Sequence, residues 1–139
     1  MEIGEVLSEI NYLAVLVAAL SSFIVGWLWY STLFRKRWME LNGFTQETAS
    51  EEGLPMPAIM IINYIATALA AFALALFLSG HKGLHYGIFA GFMIAVFWIA
   101  TNRLNDVLYE RQPFGLFLIN SGYNLAVYIL MGAIIGIWQ

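Results

Sequence analysis

Few residues in this 139-residue chain could do chemistry inside a membrane: Asn63, Thr67, Asn120, Tyr123, Asn124 and Tyr128. The last four lie in a charge-free apolar stretch, Phe114 to Trp138, where at about 100° per residue they share one broad helical face. Asn124 stands roughly 15 Å along a helix that begins at Phe114, near the middle of a bilayer's hydrocarbon. A lipid-facing amide at that depth costs on the order of 1 kcal/mol or more, so the face is expected to look inward. Asn63 and Thr67, one turn apart on another apolar stretch, are expected to join it. Such an intramembrane polar cluster serves either a ligand or ion pathway or the bonding of helix to helix, at about 0.6 kcal/mol per pair. No carboxylate, Lys or His stands near the midplane, which favours bonding and weighs against proton-coupled transport. The alternative is a small-solute transporter or channel subunit using the Asn63, Thr67, Asn120, Asn124 and Tyr128 face.

A second group, Asn102, Arg103, Asn105, Asp106, Glu110 and Arg111, gathers at one edge of the apolar stretches. Arg103 and Asp106 are three apart and can pair on one helical face, which makes the group an edge salt-bridge cluster. The competing reading is a gate or a binding site for an anionic headgroup. A third group, Trp29, Tyr30, Arg35, Lys36, Arg37 and Trp38, combines interfacial aromatic rings with a basic run. It sets topology, and it can also hold anionic lipid at up to about 1 kcal/mol per basic residue. His81 and His85 are four apart, but Gly83 lies between them and no third ligand is near, so no metal site is expected. HExxH, GxxxxGK[ST], GxSxG and CxxC are absent from the sequence. The expectation is a protein that is not an enzyme, with no catalytic residue and no cofactor. A membrane-embedded enzyme would need Asp106, Glu110 or a histidine in an interfacial cleft with a perturbed pKa.

The elements that carry these residues follow from composition. Apolar residues make up 61%, charged residues 11%, and mean hydropathy is +0.76, where soluble domains run about 45–50% apolar and 25% charged. A net charge of −3 with six Lys and Arg leaves no basic stripe for nucleic acid. Unpaired backbone groups in lipid cost several kcal/mol each, so apolar runs of about 20 residues must cross as helices. The fold class is therefore all-α: one polytopic domain of four transmembrane helices in an antiparallel bundle. The spans are expected at about 11–31, 58–78, 85–105 and 114–138. The acidic start Met1-Glu2-Ile3-Gly4-Glu5 marks the first as a retained span, and Glu2, Glu5 and Glu9 share one face of a short lead-in helix.

Between spans 1 and 2, the run Leu33 to Leu41 sets Phe34, Trp38 and Leu41 largely opposite the basic residues, as in a short interfacial helix. Asn42-Gly43 ends it, Thr45 caps a further turn through Ser50, and Pro57 opens span 2. The turn Ser79 to Gly83 makes spans 2 and 3 neighbours. Five of the six basic residues flank the 1–2 and 3–4 connections, which places these in the cytoplasm and both termini outside. In a bacterium the location is the inner membrane. Small residues recur every fourth position at Ala14, Ala18, Ser22 and Gly26, at Gly87, Gly91 and Ala95, and at Gly132 and Gly136. These ridges exceed what one compact bundle obviously needs, so a homo-oligomer built through them is expected.

Two blocks carry a family resemblance. The first is Asn11-Tyr12-Leu13-Ala14 leading into Gly26-Trp27-Leu28-Trp29-Tyr30-Ser31, then Leu33-Phe34 and Trp38. The second is Leu108-Tyr109-Glu110-Arg111, Phe117-Leu118-Ile119-Asn120-Ser121-Gly122-Tyr123, Met131-Gly132-Ala133-Ile134 and Trp138. Together they resemble DUF1761, a family of small membrane proteins without an assigned activity. Thr32 and Arg35 stand where that family usually has Pro and Gly, which implies a first turn of different shape with an added charge. The resemblance supports four spans and assigns no catalytic or substrate-binding residue. The expected function is thus a helix-packing or ligand- or lipid-binding module acting within the bilayer.

Overall fold

A computed structural model describes residues 2–42 and 55–138. The turn expected from Thr45 through Ser50, and the Gly43 expected to end the interfacial helix, lie outside the described residues. The chain opens with α1 (Ile3–Glu9) and α2 (Tyr12–Gly26), which runs on without a break into a π-helical turn, Trp27–Leu33. A short helix α3 (Arg35–Asn42) follows, then α4 (Met56–Phe77). The third apolar element comprises α5 (Leu84–Met93), a second π-helical turn (Ile94–Ala100) and α6 (Thr101–Leu108), and α7 (Phe114–Trp138) closes the described chain.

Four helices are long and apolar enough to cross a membrane: Tyr12–Leu33, Pro57–Phe77, Leu84–Leu108 and Phe114–Trp138, here spans 1 to 4. Spans 1 and 3 end two and three residues beyond the expected bounds, and each contains a π-helical turn. Nothing in Trp27–Leu33 or Ile94–Ala100 breaks a helix, and a wider turn keeps the backbone hydrogen-bonded. Phe34 N–H donates five residues back to the Trp29 carbonyl at 2.9 Å.

Spans 3 and 4 meet at glycines. A Cβ on Gly87 would collide with the Gly132 carbonyl, and one on Gly91 with the Tyr128 carbonyl. The Gly83 N–H donates to the Gly136 carbonyl at 3.0 Å. The paired positions rise along one helix as they fall along the other. Both Gly-xxx-Gly ridges are consumed here, within one chain, because only glycine lets two helical backbones touch. The span 1 ridge is also internal: Ala14 and Ala18 are fully buried and Ser22 nearly so. This corrects the expectation that the small-residue ridges join separate copies. Close packing gives no net gain from water release in lipid, so each ridge is used where its neighbour fits.

The core joins Val15 and Ala18 of span 1, Ala71, Leu74, Ala75 and Leu78 of span 2, and Val127, Met131 and Ile135 of span 4. It lies toward the chain termini. There the Asn11 side chain accepts from Ala14 N–H at 3.1 Å as an N-cap and donates to the Trp138 carbonyl at 2.9 Å. One amide thus satisfies orphan backbone groups at the start of span 1 and the end of span 4. Gly80 and Gly83, both at positive φ, make the tight turn between spans 2 and 3.

Candidate functional site: the joint between spans 1 and 4

At the other end of the bundle, the π-helical turn of span 1 presses aromatic residues onto span 4. A π turn winds more loosely than an α turn, so consecutive residues lie closer to one face, and both Trp29 and Tyr30 reach the same partner. The Trp29 indole Nε1 donates to the Ile119 carbonyl at 2.9 Å. The Tyr30 hydroxyl donates to Asn120 Oδ1 at 2.7 Å. Ring contacts extend the joint, with Tyr30 5.0 Å from Tyr123 and 5.5 Å from Trp38, and Trp29 5.1 Å from Phe34. Glycines make room for these rings. A Cβ on Gly122 would stand 2.9 Å from Trp29 Cζ2, and one on Gly26 would stand 3.6 Å from the Tyr123 ring. The short helix α3 continues the contact, since Gly115 faces the Leu41 side chain and the Arg37 guanidinium.

The expected cluster divides in two. Asn120, Tyr123, Asn124 and Tyr128 lie on span 4 as expected, Asn124 buried and the others half-buried. Asn120 accepts from Tyr30, while the buried Asn124 Nδ2 and Ser121 Oγ have no hydrogen-bond partner. Asn63 does not join them. It is exposed on span 2, and the Thr67 hydroxyl donates to the Asn63 carbonyl of its own helix at 2.8 Å. Asn63 is thus not enclosed as expected, while Thr67 is half-buried and lies one turn before Ala71 on the side of span 2 that packs inward with Ala71, Leu74, Ala75 and Leu78.

The edge group is also rearranged. Ile99, Asn102, Arg103 and Asp106 line a shallow cleft of about 480 Å³. Arg103 and Asp106 share it half-buried, yet no ion pair joins them. Among the described residues the one ion pair is Arg37 with Glu40, 3.8 Å apart and largely exposed. The salt-bridge reading of the edge is corrected on this point. Asp106 instead accepts through its backbone carbonyl from Gln112 N–H, closing the turn toward span 4. Asn105, Glu110 and Arg111 are exposed, and Arg111 holds a left-handed φ of 57°. Arg35 and Lys36 are exposed on α3. At the far end of the bundle the His81 and His85 rings both pack against Tyr86, and no group of three metal-ligating side chains occurs among the described residues.

Residues 13–136 match the family described as a protein of unknown function, DUF1761. The chain belongs to the DUF1761 family. No curated protein and no solved structure matches it. In this DUF1761 chain the two sequence blocks on which the resemblance rests prove to be the two that meet. Gly26, Trp29 and Tyr30 from one engage Ile119, Asn120, Gly122 and Tyr123 from the other, across about ninety positions of chain. Sequence reasoning placed Trp29 and Tyr30 at a headgroup belt and missed their bonds to span 4. The available signal was Gly122 beside Tyr123: a glycine one residue from a large ring on a polar face makes a socket for another ring. The π-helical turn had no signal of its own, because its residues suit an α-helix equally well.

Proposed function

We propose that this DUF1761 protein is a packing and lipid-binding module acting within the bilayer. In this reading one domain forms an antiparallel four-helix bundle, with the 1–2 and 3–4 connections cytoplasmic and both termini outside. The Asn120 and Tyr123 part of the polar face of span 4 is taken up by Tyr30 with Trp29 beside it, and the edge cleft receives an anionic lipid headgroup. The observation that carries the reading is Arg103: a half-buried guanidinium lining an open cleft beside Asn102, with no carboxylate among the described residues within ion-pairing distance. A guanidinium matches phosphate geometry, and an anionic headgroup supplies the counter-charge that Asp106 does not. The exposed Arg35, Lys36 and Arg37 of the neighbouring helix add long-range attraction to an anionic leaflet.

A solute path through Asn63, Thr67, Asn120, Asn124 and Tyr128 finds little support in this arrangement, since Asn63 is exposed, the Thr67 hydroxyl bonds to its own helix and Tyr30 engages Asn120. No catalytic step forms part of the reading. The test is thermal unfolding of the purified protein in nanodiscs of zwitterionic lipid with and without an anionic glycerophospholipid. Anionic lipid should raise the melting temperature of the wild type, and Arg103→Gln should remove most of that rise. An equal rise in both proteins would overturn the assignment of the cleft.

A further inference from the structure

Spans 1, 2 and 3 each have an end beside a cavity that neither the Arg103 cleft nor the aromatic joint uses. It holds about 270 Å³ and is lined by Glu9, Ile10, Ser79, Gly80 and Lys82. Glu9 and Ile10 stand just before span 1, which begins at Tyr12. Ser79 to Lys82 lie in the turn between the end of span 2 at Phe77 and the start of span 3 at Leu84. A cavity at the ends of the spans lies at headgroup depth rather than in hydrocarbon. Ile10 and Leu78 belong to the core, so both segments that line the cavity are held in place. Gly80, at a φ of 81°, turns the chain so that Ser79 and Lys82 line it together. Glu9 and Lys82 thus put opposite charges on one cavity, yet no ion pair joins them; the one ion pair among the described residues is Arg37 with Glu40. The Ser79 hydroxyl oxygen is buried in the same wall with no hydrogen-bond partner among the described residues.

We propose that this cavity binds a short zwitterion of the phosphoethanolamine type, its primary ammonium on the Glu9 carboxylate and its phosphate on the Lys82 ammonium. The site stands at the opposite end of the spans from the Arg103 cleft and does not rest on the reading of that cleft. A purely anionic ligand would meet Glu9 and a purely cationic one Lys82, so only a ligand carrying both charges is matched at both walls. Each contact is a charge-assisted hydrogen bond, about twice as strong as a neutral one. A primary ammonium donates N–H bonds to a carboxylate. A quaternary ammonium has none to donate and is held by aromatic faces, and no aromatic ring is among the lining residues. At roughly 30 Å³ per water-sized group the volume takes about nine such groups, the size of a phosphoethanolamine moiety. The unpaired Ser79 hydroxyl is then satisfied by the phosphate or by a water held with it. Two sources supply this chemistry at headgroup depth: an ethanolamine glycerophospholipid and a free phosphoethanolamine ester in solution.

The test uses the full chain in nanodiscs of phosphatidylcholine, whose headgroup lacks the primary ammonium. In the first arm a minor fraction of the lipid is phosphatidylethanolamine, and the lipid carried by the released protein is counted by native mass spectrometry. The wild type should retain ethanolamine lipid in preference to choline lipid. Glu9→Gln and Lys82→Gln should each lower that retention roughly three- to tenfold. Glu5→Gln, on the same helix α1 but outside the cavity, should retain it as the wild type does. In the second arm soluble glycerophosphoethanolamine is titrated into the protein in choline-lipid nanodiscs, and the melting temperature is followed. A saturable rise that both cavity variants reduce supports the site with a free ester as its ligand. Retention in the first arm without a rise in the second supports the site with lipid as its ligand. No preference for ethanolamine lipid together with no rise would overturn the proposal. So would responses unchanged in Glu9→Gln and Lys82→Gln, or a loss as large in Glu5→Gln. Glu9 and Lys82 are exposed and outside any ion pair, so both variants should unfold like the wild type in choline lipid alone, which separates loss of a ligand from loss of the fold.

Discussion

Replacing Tyr30 by Phe removes one hydroxyl and little else. The ring keeps its neighbours, Tyr123 at 5.0 Å and Trp38 at 5.5 Å, so the packing contribution is almost unchanged. What is lost is the 2.7 Å bond to Asn120 Oδ1. A hydrogen bond between spans averages about 0.6 kcal/mol and reaches about 1.7 kcal/mol. The short distance argues for the upper part of that range, and an orphaned, half-buried Asn120 oxygen adds to the loss. Tyr30→Phe should therefore destabilise the folded protein by about 1 to 2 kcal/mol, and Asn120→Leu by a similar amount through the orphaned hydroxyl. The double variant should cost clearly less than the sum, because neither polar group is then left alone, giving a coupling of about 1 kcal/mol. The assay is reversible unfolding in mixed micelles with increasing SDS, followed by tryptophan fluorescence, on all four members of the cycle. Additive single effects would refute the joint, since they would mean that Tyr30 and Asn120 act without each other.

Three further expectations concern stability. Gly87→Ala sets a methyl against the Gly132 carbonyl and must push spans 3 and 4 apart, at a cost of about 2 kcal/mol or more in SDS unfolding; Gly4→Ala, in helix α1 with open space around it, should cost nothing and add at most about 1 kcal/mol of helix propensity, so it serves as the clash-free control. Gly122→Ala should displace the Trp29 indole, costing about 1–3 kcal/mol and shifting Trp fluorescence, and Trp29→Leu should relieve the clash in the double variant. Arg111→Gly should stabilise the chain by up to about 1 kcal/mol, because glycine adopts the φ of 57° without a Cβ penalty, whereas Arg111→Ala should give no such gain.

Much of the fold could be read from the sequence because lipid permits few solutions. Runs of about 20 apolar residues must be helices, and the observed spans depart from the expected ones by at most three residues at any end. The direction in which each helix faces was harder. In water, burial separates apolar from polar faces, but in a bilayer the lipid side and the core side are equally apolar. The inner line Ala71, Leu74, Ala75 and Leu78 and the outer line Ala66, Ala70 and Ala73 therefore look alike in composition. The polar residues seemed to break that tie. Asn120 and Asn124 did face inward, whereas Asn63, two turns before Ala71 on the inward line of span 2, lies exposed where that helix has left the core. The glycine ridges posed the same ambiguity: Gly87 and Gly132 announce a close helix contact without saying whether the partner lies in the same chain.

An anionic headgroup in the Arg103 cleft, as proposed, would travel with the protein, and bound lipid can be counted directly. Native mass spectrometry of the protein released from mixed anionic and zwitterionic nanodiscs should show anionic lipid retained by the wild type and largely lost from Arg103→Gln. Zwitterionic adducts should be equal in the two proteins. Equal retention of anionic lipid by wild type and variant would mean that Arg103 holds no headgroup.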